Sequence, residues 1–282
     1  MALTCPPAVH PRARASACRP PLASLPAGIE PNETLLARED LTATIVRLRF
    51  RPDGGAPAFR AGQYAAVGLH LDGRFVQRPY SMASVPGKLG DLEFLVRLIP
   101  DGALTPSLWR LRPGDRVHIG PPKGLFTLAV GDDRQHLFLA TGTGIAPLRS
   151  MLGSLLGRPP VSARDGRPSR PPVVVHGVAT VLELAWRNRL ERLASDGTIV
   201  YVPALSRPAD PANAGWHGRT GRLDTLVETI AADVGIDPAT TVVYLCGNPA
   251  MIAAVRPRLE ALGVPAGAIR AERYWTPPAA QP

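Results

Sequence analysis

Only three cysteines, Cys5, Cys18 and Cys246, occur in 282 residues. That is too few for a disulfide framework or for a four-thiolate iron–sulfur site, and no metal site is expected. The scarcity points to a reducing compartment, and a cytoplasmic location is expected. No apolar run approaches the length of a membrane span, so no membrane partner is expected. Residues 1–32 carry Arg and Pro but lack the apolar core of a secretory signal. They are expected to form a disordered N-terminal extension, although a transit peptide has the same composition. Aromatic residues make up only 5% of the chain, and its Lys and Arg are scattered rather than clustered. That pattern argues against nucleic acid as a partner despite the net charge of +9. An acidic protein or the phosphates of a dinucleotide account for the charge more simply. There is no internal repeat.

The length suits two modest domains, and 45% hydrophobic residues let each bury a core. The first half reads as β structure. Thr42–Phe50 alternates in strand fashion and ends at the turn signal Pro52-Asp53-Gly54-Gly55. Short apolar stretches follow at Gln63–Leu71, Phe75–Met82, Leu92–Ile99 and Arg116–Ile119, each bounded by Gly, Pro or Asp. Such spacing predicts a small antiparallel barrel. Beyond residue 133 the apolar runs His136–Ala140, Pro172–His176, Thr198–Val202 and Val242–Cys246 lose their alternation, as strands buried on both faces of a parallel sheet do. Helical patterns at Val181–Leu193 and Ala250–Leu262 lie between or after them, which predicts an open α/β sheet. Gly157–Pro171 reads as a surface loop. The expected organisation is an extension over 1–32, a barrel over 33–133, an α/β domain over 134–275 and a tail over 276–282.

Four segments carry chemistry. Thr141-Gly142-Thr143-Gly144-Ile145-Ala146-Pro147 follows a buried strand and opens a helix. Its glycines allow a pyrophosphate close to the backbone, the helix start offers free N–H groups, and Pro147 suits the first turn. Pro147 also stands where the G-x-G-x-x-G fingerprint has its last glycine, so alone the turn is weak evidence. In Arg78-Pro79-Tyr80-Ser81 a guanidinium can clamp a diphosphate, a ring can cover a flat heterocycle and a hydroxyl can bond a ring nitrogen. Cys246-Gly247-Asn248-Pro249 ends another buried strand, where open α/β folds place ligands. Alone, Cys246 reads more readily as a small core residue than as a reactive group. Glu272-Arg273-Tyr274-Trp275 sets two aromatics near the C-terminus, and they must pack on something.

In this order the four segments closely resemble the ferredoxin–NADP reductase family, especially its bacterial ferredoxin/flavodoxin reductases, over Gln63 to Trp275. The resemblance implies that Arg78, Pro79, Tyr80 and Ser81 hold FAD, with further FAD contacts from Leu95-Val96-Arg97 and Ala103-Leu104-Thr105. It implies that Gly142, Thr143, Gly144 and Pro147 serve the pyridine nucleotide, Thr143 also touching FAD. Cys246, Gly247, Asn248 and Pro249 would approach the nicotinamide, and Ser206, Arg207 and Arg222 the 2′-phosphate of NADP. Glu272, Tyr274 and Trp275 match the Glu-x-Tyr-Trp sequence that ends the bacterial members, its aromatics lining the flavin.

The implied protein is a monomeric FAD enzyme that moves electrons between NADP(H) and an acidic carrier, ferredoxin or flavodoxin. Ser81, Cys246 and Glu272 would be its catalytic residues, with Tyr80 and Trp275 on the flavin faces. Three departures stand out. Ala179 occupies a position where bacterial members often carry a 2′-phosphate arginine, which keeps NAD(H) open. Ala103 replaces a common basic residue, and the chain runs seven residues past Trp275. Ala179 also keeps open an NADH-dependent reductase component of an oxygenase. An electron-transfer subunit of a larger complex often adds a cysteine cluster, which three widely spaced cysteines do not provide.

Overall fold

The computed structural model describes residues 29–87, 90–129, 131–157 and 170–274. Residues 1–28 of the extension expected over 1–32, most of the loop expected at Gly157–Pro171, Trp275 and the C-terminal tail lie outside the described residues. The last residues of that expected extension are corrected, since Asn32 is tied to the barrel by bonds to Val117 and Ile119.

The first half forms a six-stranded antiparallel sheet. Its strands are β1 (Glu33–Asp40), β2 (Ile45–Pro52), β3 (Tyr64–Leu71), β4 (Arg74–Ser81), β5 (Leu92–Arg97) and β6 (Arg116–Ile119), in the order β4-β3-β6-β1-β2-β5. The two edge strands meet through the Met82–Phe94 bridge and the 2.7 Å bond from Ala83 N–H to the Glu93 carbonyl, which curls the sheet into a barrel. Alternation explains its filling. On β2, Val46, Leu48 and Phe50 point into a core shared with Leu92, Phe94 and Val96 of β5, while Arg47 and Arg49 point outward. A short helix α1 (Thr105–Leu108) plugs one end with Leu104 and Leu108.

The second half is a six-stranded parallel sheet in the order β10-β9-β8-β7-β11-β12. Its strands are β7 (Gln135–Thr141), β8 (Val173–Val178), β9 (Val200–Leu205), β10 (Arg219–Thr220), β11 (Thr241–Gly247) and β12 (Ile269–Arg273). The three central strands β7, β8 and β11 are buried along almost their whole length, which is why their sequences show no alternation. Helices α2 (Ile145–Leu156), α3 (Arg187–Ser195), α4 (Leu223–Asp233) and α5 (Pro249–Ala261) cover the faces. One face packs on α4 and α5. The other joins α2 and α3 to barrel residues Ile45, Ala61, Ala83, Leu95, Phe126 and Leu128, so the two halves share one continuous core.

The expected helix over Val181–Leu193 is corrected. A single 3-10 turn, Val181–Glu183, is followed by Trp186 in the left-handed region at φ 56°, and α3 starts only at Arg187. Tertiary packing overrides the helical pattern here. Trp186 lies against the guanidinium groups of Arg149, 4.8 Å from its ring centroid, and Arg47, at 5.9 Å.

Candidate active site

Strand order fixes where the site must lie. From β7 the chain steps to β8, β9 and β10 on one side, then returns to place β11 and β12 on the other. The reversal falls between β7 and β11, and the crevice beyond their carboxyl ends is where open α/β sheets bind ligands. Gly142-Thr143-Gly144 leaves β7 there, and Gly247-Asn248-Pro249 leaves β11 beside it.

The two turns are interlocked. An added Cβ on Gly144 would lie 2.6 Å from the Cys246 carbonyl carbon and 2.8 Å from Gly247 N, so only glycine fits. Gly247, at φ 127°, faces Thr141 equally closely. The Asn248 N–H donates to Thr141 Oγ1 at 2.9 Å, and its side chain caps α5 through the Ala250 N–H at 2.8 Å, with Pro249 following in the first turn. Pro147 is buried in the first turn of α2. Behind the first turn lies His176, wholly buried, whose Nε2–H donates to the Gly142 carbonyl at 3.0 Å. Burial pulls its pKa down to about 4, against the opposing effect of that bond, so the ring is neutral at neutral pH.

Between barrel and sheet, four expected residues come together. The Ser81 hydroxyl donates to Glu272 Oε2 at 3.0 Å. Tyr274 Oη is 3.2 Å from Ser81 Oγ and 3.3 Å from the Thr143 carbonyl; its single proton serves one of the two at a time. Cys246 is paired with Glu272 across β11 and β12 and packs against Tyr274. Burial raises the Glu272 carboxyl above the usual carboxylate range, partly offset by the Ser81 bond. Burial, reinforced by Glu272, pushes the Cys246 thiol well up, so it is no thiolate nucleophile. The Tyr274 phenol is likewise driven up by burial. A hydroxyl, a carboxyl, a thiol and a phenol thus meet at the domain junction.

Along β4, Arg78 and Tyr80 share one face. The Arg78 guanidinium bonds only the adjacent Gln77 carbonyl, at 2.8 Å, and among the described residues no carboxylate pairs with it. Burial pushes the Tyr80 phenol up to about 12, against the Arg78 charge, so the ring stays neutral. A cation with spare donors, a neutral ring and Ser81 at one strand end fit a flavin with its diphosphate. Leu95 and Val96 put their side chains into the two cores, so only their backbone can face a ligand. Arg97 bonds Glu183 across the domain junction at 2.6 Å, beside Gly142. Ala103 is exposed, and Leu104 is buried. Thr105 turns its hydroxyl onto the backbone of Ile99, bonding its carbonyl at 2.9 Å and its N–H at 3.0 Å.

On the far side of the sheet, Ser206 follows β9 with its N–H and hydroxyl both on the Val178 carbonyl. Arg207 is exposed, and its guanidinium has no carboxylate partner among the described residues. Arg222, 61% exposed, bonds Asp224 at 3.0 Å. Four further residues shape the crevice without having been singled out in the sequence. They are His176 and Asn213, and Arg149 and Ser150 on α2. Arg149 donates to the Ala83 carbonyl and pairs with Glu93 at 2.9 Å, and Ser150 donates to the Ser84 carbonyl at 2.6 Å. These bonds tie the helix of the dinucleotide turn to the residues just after Ser81. The histidine interrupting the apolar run Val173–Val178 was a visible signal; nothing in the local sequence marked the others.

An antiparallel barrel with a flavin-type strand, joined at a switch-point crevice to a parallel sheet, defines an oxidoreductase that uses a flavin and a pyridine nucleotide. Two family descriptions match, "Oxidoreductase FAD-binding domain" over residues 33–128 and "Oxidoreductase NAD-binding domain" over 138–257. Ferredoxin–NADP reductase B of Sorangium cellulosum is 35% identical over 252 residues, covering 87% of this chain and 98% of that protein. The reductase component of propane 2-monooxygenase from Mycolicibacterium goodii is 30% identical over 246 residues, covering 86% of this chain and 67% of that protein. The crystal structure of a ferredoxin NADP+ reductase from Neisseria gonorrhoeae with bound FAD and NADP superposes with a TM-score of 0.70 at 25% identity, over 86% of this chain and 97% of that one. The chain belongs to the ferredoxin–NADP reductase family and is an FAD- and NAD(P)-dependent oxidoreductase. Among the described residues no helix is long and apolar enough to cross a membrane.

Proposed function

We propose that this enzyme moves electrons between NADPH and a one-electron carrier protein, ferredoxin or flavodoxin, through FAD held at the domain junction. The observation that carries the proposal is the convergence of Ser81, Glu272, Tyr274 and Cys246 at the crevice between barrel and switch point. FAD, when bound, supplies the conversion between two-electron nicotinamide chemistry and single-electron release.

The chain's own part is binding, orientation and proton management. Arg78, with spare donors, would hold the diphosphate, and the neutral ring of Tyr80 would pack against the flavin. Gly142, Thr143 and Gly144, backed by His176, present backbone to the dinucleotide phosphates. Gly247, Asn248 and Pro249 line the nicotinamide side. Burial shifts Glu272 toward its neutral form, and the Ser81 bond opposes that shift. Ser81 Oγ donates to that carboxyl and can accept from Tyr274 Oη, which also reaches the Thr143 carbonyl, so short hydrogen bonds join the carboxyl to the dinucleotide turn. Cys246, uncharged and small, closes the floor without placing a charge beside the nicotinamide. Arg207 meets the 2′-phosphate bidentately. Arg222 is already paired with Asp224 and contributes less.

A second reading has its own support. Ala179 offers no cation, and a relative at 30% identity is the reductase component of a monooxygenase. On that reading the donor is NADH and the acceptor an oxygenase component. Steady-state kinetics of the holoprotein with each nucleotide separates the two. One free arginine on a phosphate monoester predicts about a tenfold preference for NADPH in kcat/KM. Arg207→Ala should abolish that preference through the KM for NADPH. Equal kcat/KM values in the wild type would overturn the NADPH assignment and favour NADH.

A further inference from the structure

We propose that Asn213 is a positioning residue that sets the enzyme's discrimination for the 2′-phosphorylated dinucleotide by fixing the backbone from which Arg207 projects. The proposal rests on the reading that Arg207 meets the 2′-phosphate.

Asn213 is a buried amide, 4% exposed, in a stretch otherwise made of Pro, Ala and Gly. Its Nδ2 donates to the Arg207 carbonyl at 2.7 Å and to the Ala179 carbonyl at 3.2 Å. Its Oδ1 accepts from the Val181 N–H at 2.8 Å. One side chain therefore ties the loop after β9 to the loop after β8, two neighbouring strand ends that on the proposed function would face the 2′-phosphate half of the dinucleotide. It is itself held in place on both sides. Its N–H donates to the Asp210 carbonyl at 2.8 Å, and its own carbonyl accepts from the Trp216 N–H at 3.0 Å.

The excursion that carries Asn213 also returns to the same spot. Arg219 and Thr220 pair with Ala204 and Leu205, and the Gly221 N–H donates to the Leu205 carbonyl at 2.8 Å. Arg207 thus leaves the sheet at a fixed point but lies outside the ladder. Its carbonyl accepts from the Asp210 N–H at 3.0 Å within its own turn and from the Asn213 amide, the one of the two bonds that ties it to the loop after β8. The positioned guanidinium matters because no cation stands at Ala179 to share the work. Pre-ordering Arg207 removes part of the ordering cost of phosphate binding. NADH, which lacks the phosphate, gains nothing from it.

Asparagine suits this task for a specific reason. It combines two donors, both used here, with an acceptor, and it brings no charge into a pocket meant for an anion. Aspartate has the same shape but would turn an oxygen toward two carbonyls and add a negative charge.

The test is calorimetric binding of 2′-phospho-AMP and of AMP to the FAD-loaded full chain, wild type, Asn213→Ala and Arg207→Ala, with FAD content and thermal midpoint recorded for each. The wild type should bind 2′-phospho-AMP more tightly than AMP. Asn213→Ala should weaken 2′-phospho-AMP about tenfold and AMP by less than about twofold. In turnover it should lower the NADPH-to-NADH ratio of kcat/KM through the KM for NADPH rather than through kcat. Asn213→Ser, which keeps one donor, should fall between, and it carries the comparison if the alanine variant does not fold. Unchanged 2′-phospho-AMP binding, or equal loss of both ligands, would make Asn213 a packing residue and overturn the proposal. If Arg207→Ala weakens 2′-phospho-AMP in that same experiment, the phosphate reading stands while the Asn213 proposal fails. A wild type that binds both ligands alike overturns the phosphate reading and the proposal with it.

Discussion

Ser81, the last residue of a barrel strand, donates a 3.0 Å hydrogen bond to Glu272, on the final strand of the parallel sheet and 191 positions along the chain. The bond spans the two domains and, on the proposed function, sits where flavin and nicotinamide would meet. Removing it should be felt in the redox step. Leaving a largely buried carboxyl without its hydrogen-bond partner costs about 1–3 kcal/mol. Ser81→Ala should therefore slow flavin reduction by NADPH roughly tenfold in stopped flow. Tyr274→Phe, which removes a longer and shared bond, should cost less. Equal effects of the two would mean that the cluster acts through packing alone.

Arg78 donates only to a neighbouring backbone carbonyl, so its guanidinium is available to an external phosphate. Arg78→Ala should raise the dissociation constant for FAD about ten- to a hundredfold. Fluorescence titration of the apoprotein with FAD reads this directly. Undiminished affinity would place the diphosphate elsewhere on the barrel.

The motif residues were legible because they are chemical groups in fixed local contexts: a turn after a buried strand, a helix start, a strand end. The buried strands β7, β8 and β11 were legible for a related reason, since burial on both faces writes an unbroken apolar run. β1 was not, because Glu33–Asp40 carries acidic and basic residues that the barrel tolerates through long-range pairs. The break at Trp186 was hidden too. Its cause is a pair of arginines far away in sequence, Arg47 and Arg149, which no local pattern can announce. The convergence of Arg149 and Ser150 on Ala83 and Ser84 is of the same kind.

Gly144 has no room for a side chain against Cys246 and Gly247, and both neighbours are backbone atoms that cannot swing aside. Gly144→Ala should push the two turns apart, destabilising the fold by about 1–3 kcal/mol. The KM for both nucleotides should rise, while FAD content changes little, because the barrel strand β4 is not involved. A variant with wild-type KM values would show that the crevice is wider than the contacts imply.

His176 predicts an acid-sensitive site. Its pKa is depressed from 6.5 to about 4, so the stability it contributes is present above pH 6.5 and is lost as pH falls through 4. The full loss is about 3 kcal/mol, since a tenfold change in proton affinity corresponds to about 1.4 kcal/mol. His176→Gln keeps an N–H donor near the Nε2 position and cannot charge. Urea unfolding at pH 7 and at pH 4.5 should show a smaller loss in that variant than in the wild type. Identical losses would exclude His176 as the source.

The most direct test of the account is anaerobic stopped-flow reduction of the FAD-loaded protein, first by NADPH and then by NADH, followed by mixing with oxidised ferredoxin or flavodoxin. The account predicts rapid bleaching of the flavin, a kcat/KM about tenfold higher with NADPH, and reappearance of oxidised flavin in single-electron steps on adding the carrier. A protein that takes up no FAD, or whose bound flavin stays oxidised in the presence of NADPH and NADH alike, would contradict it.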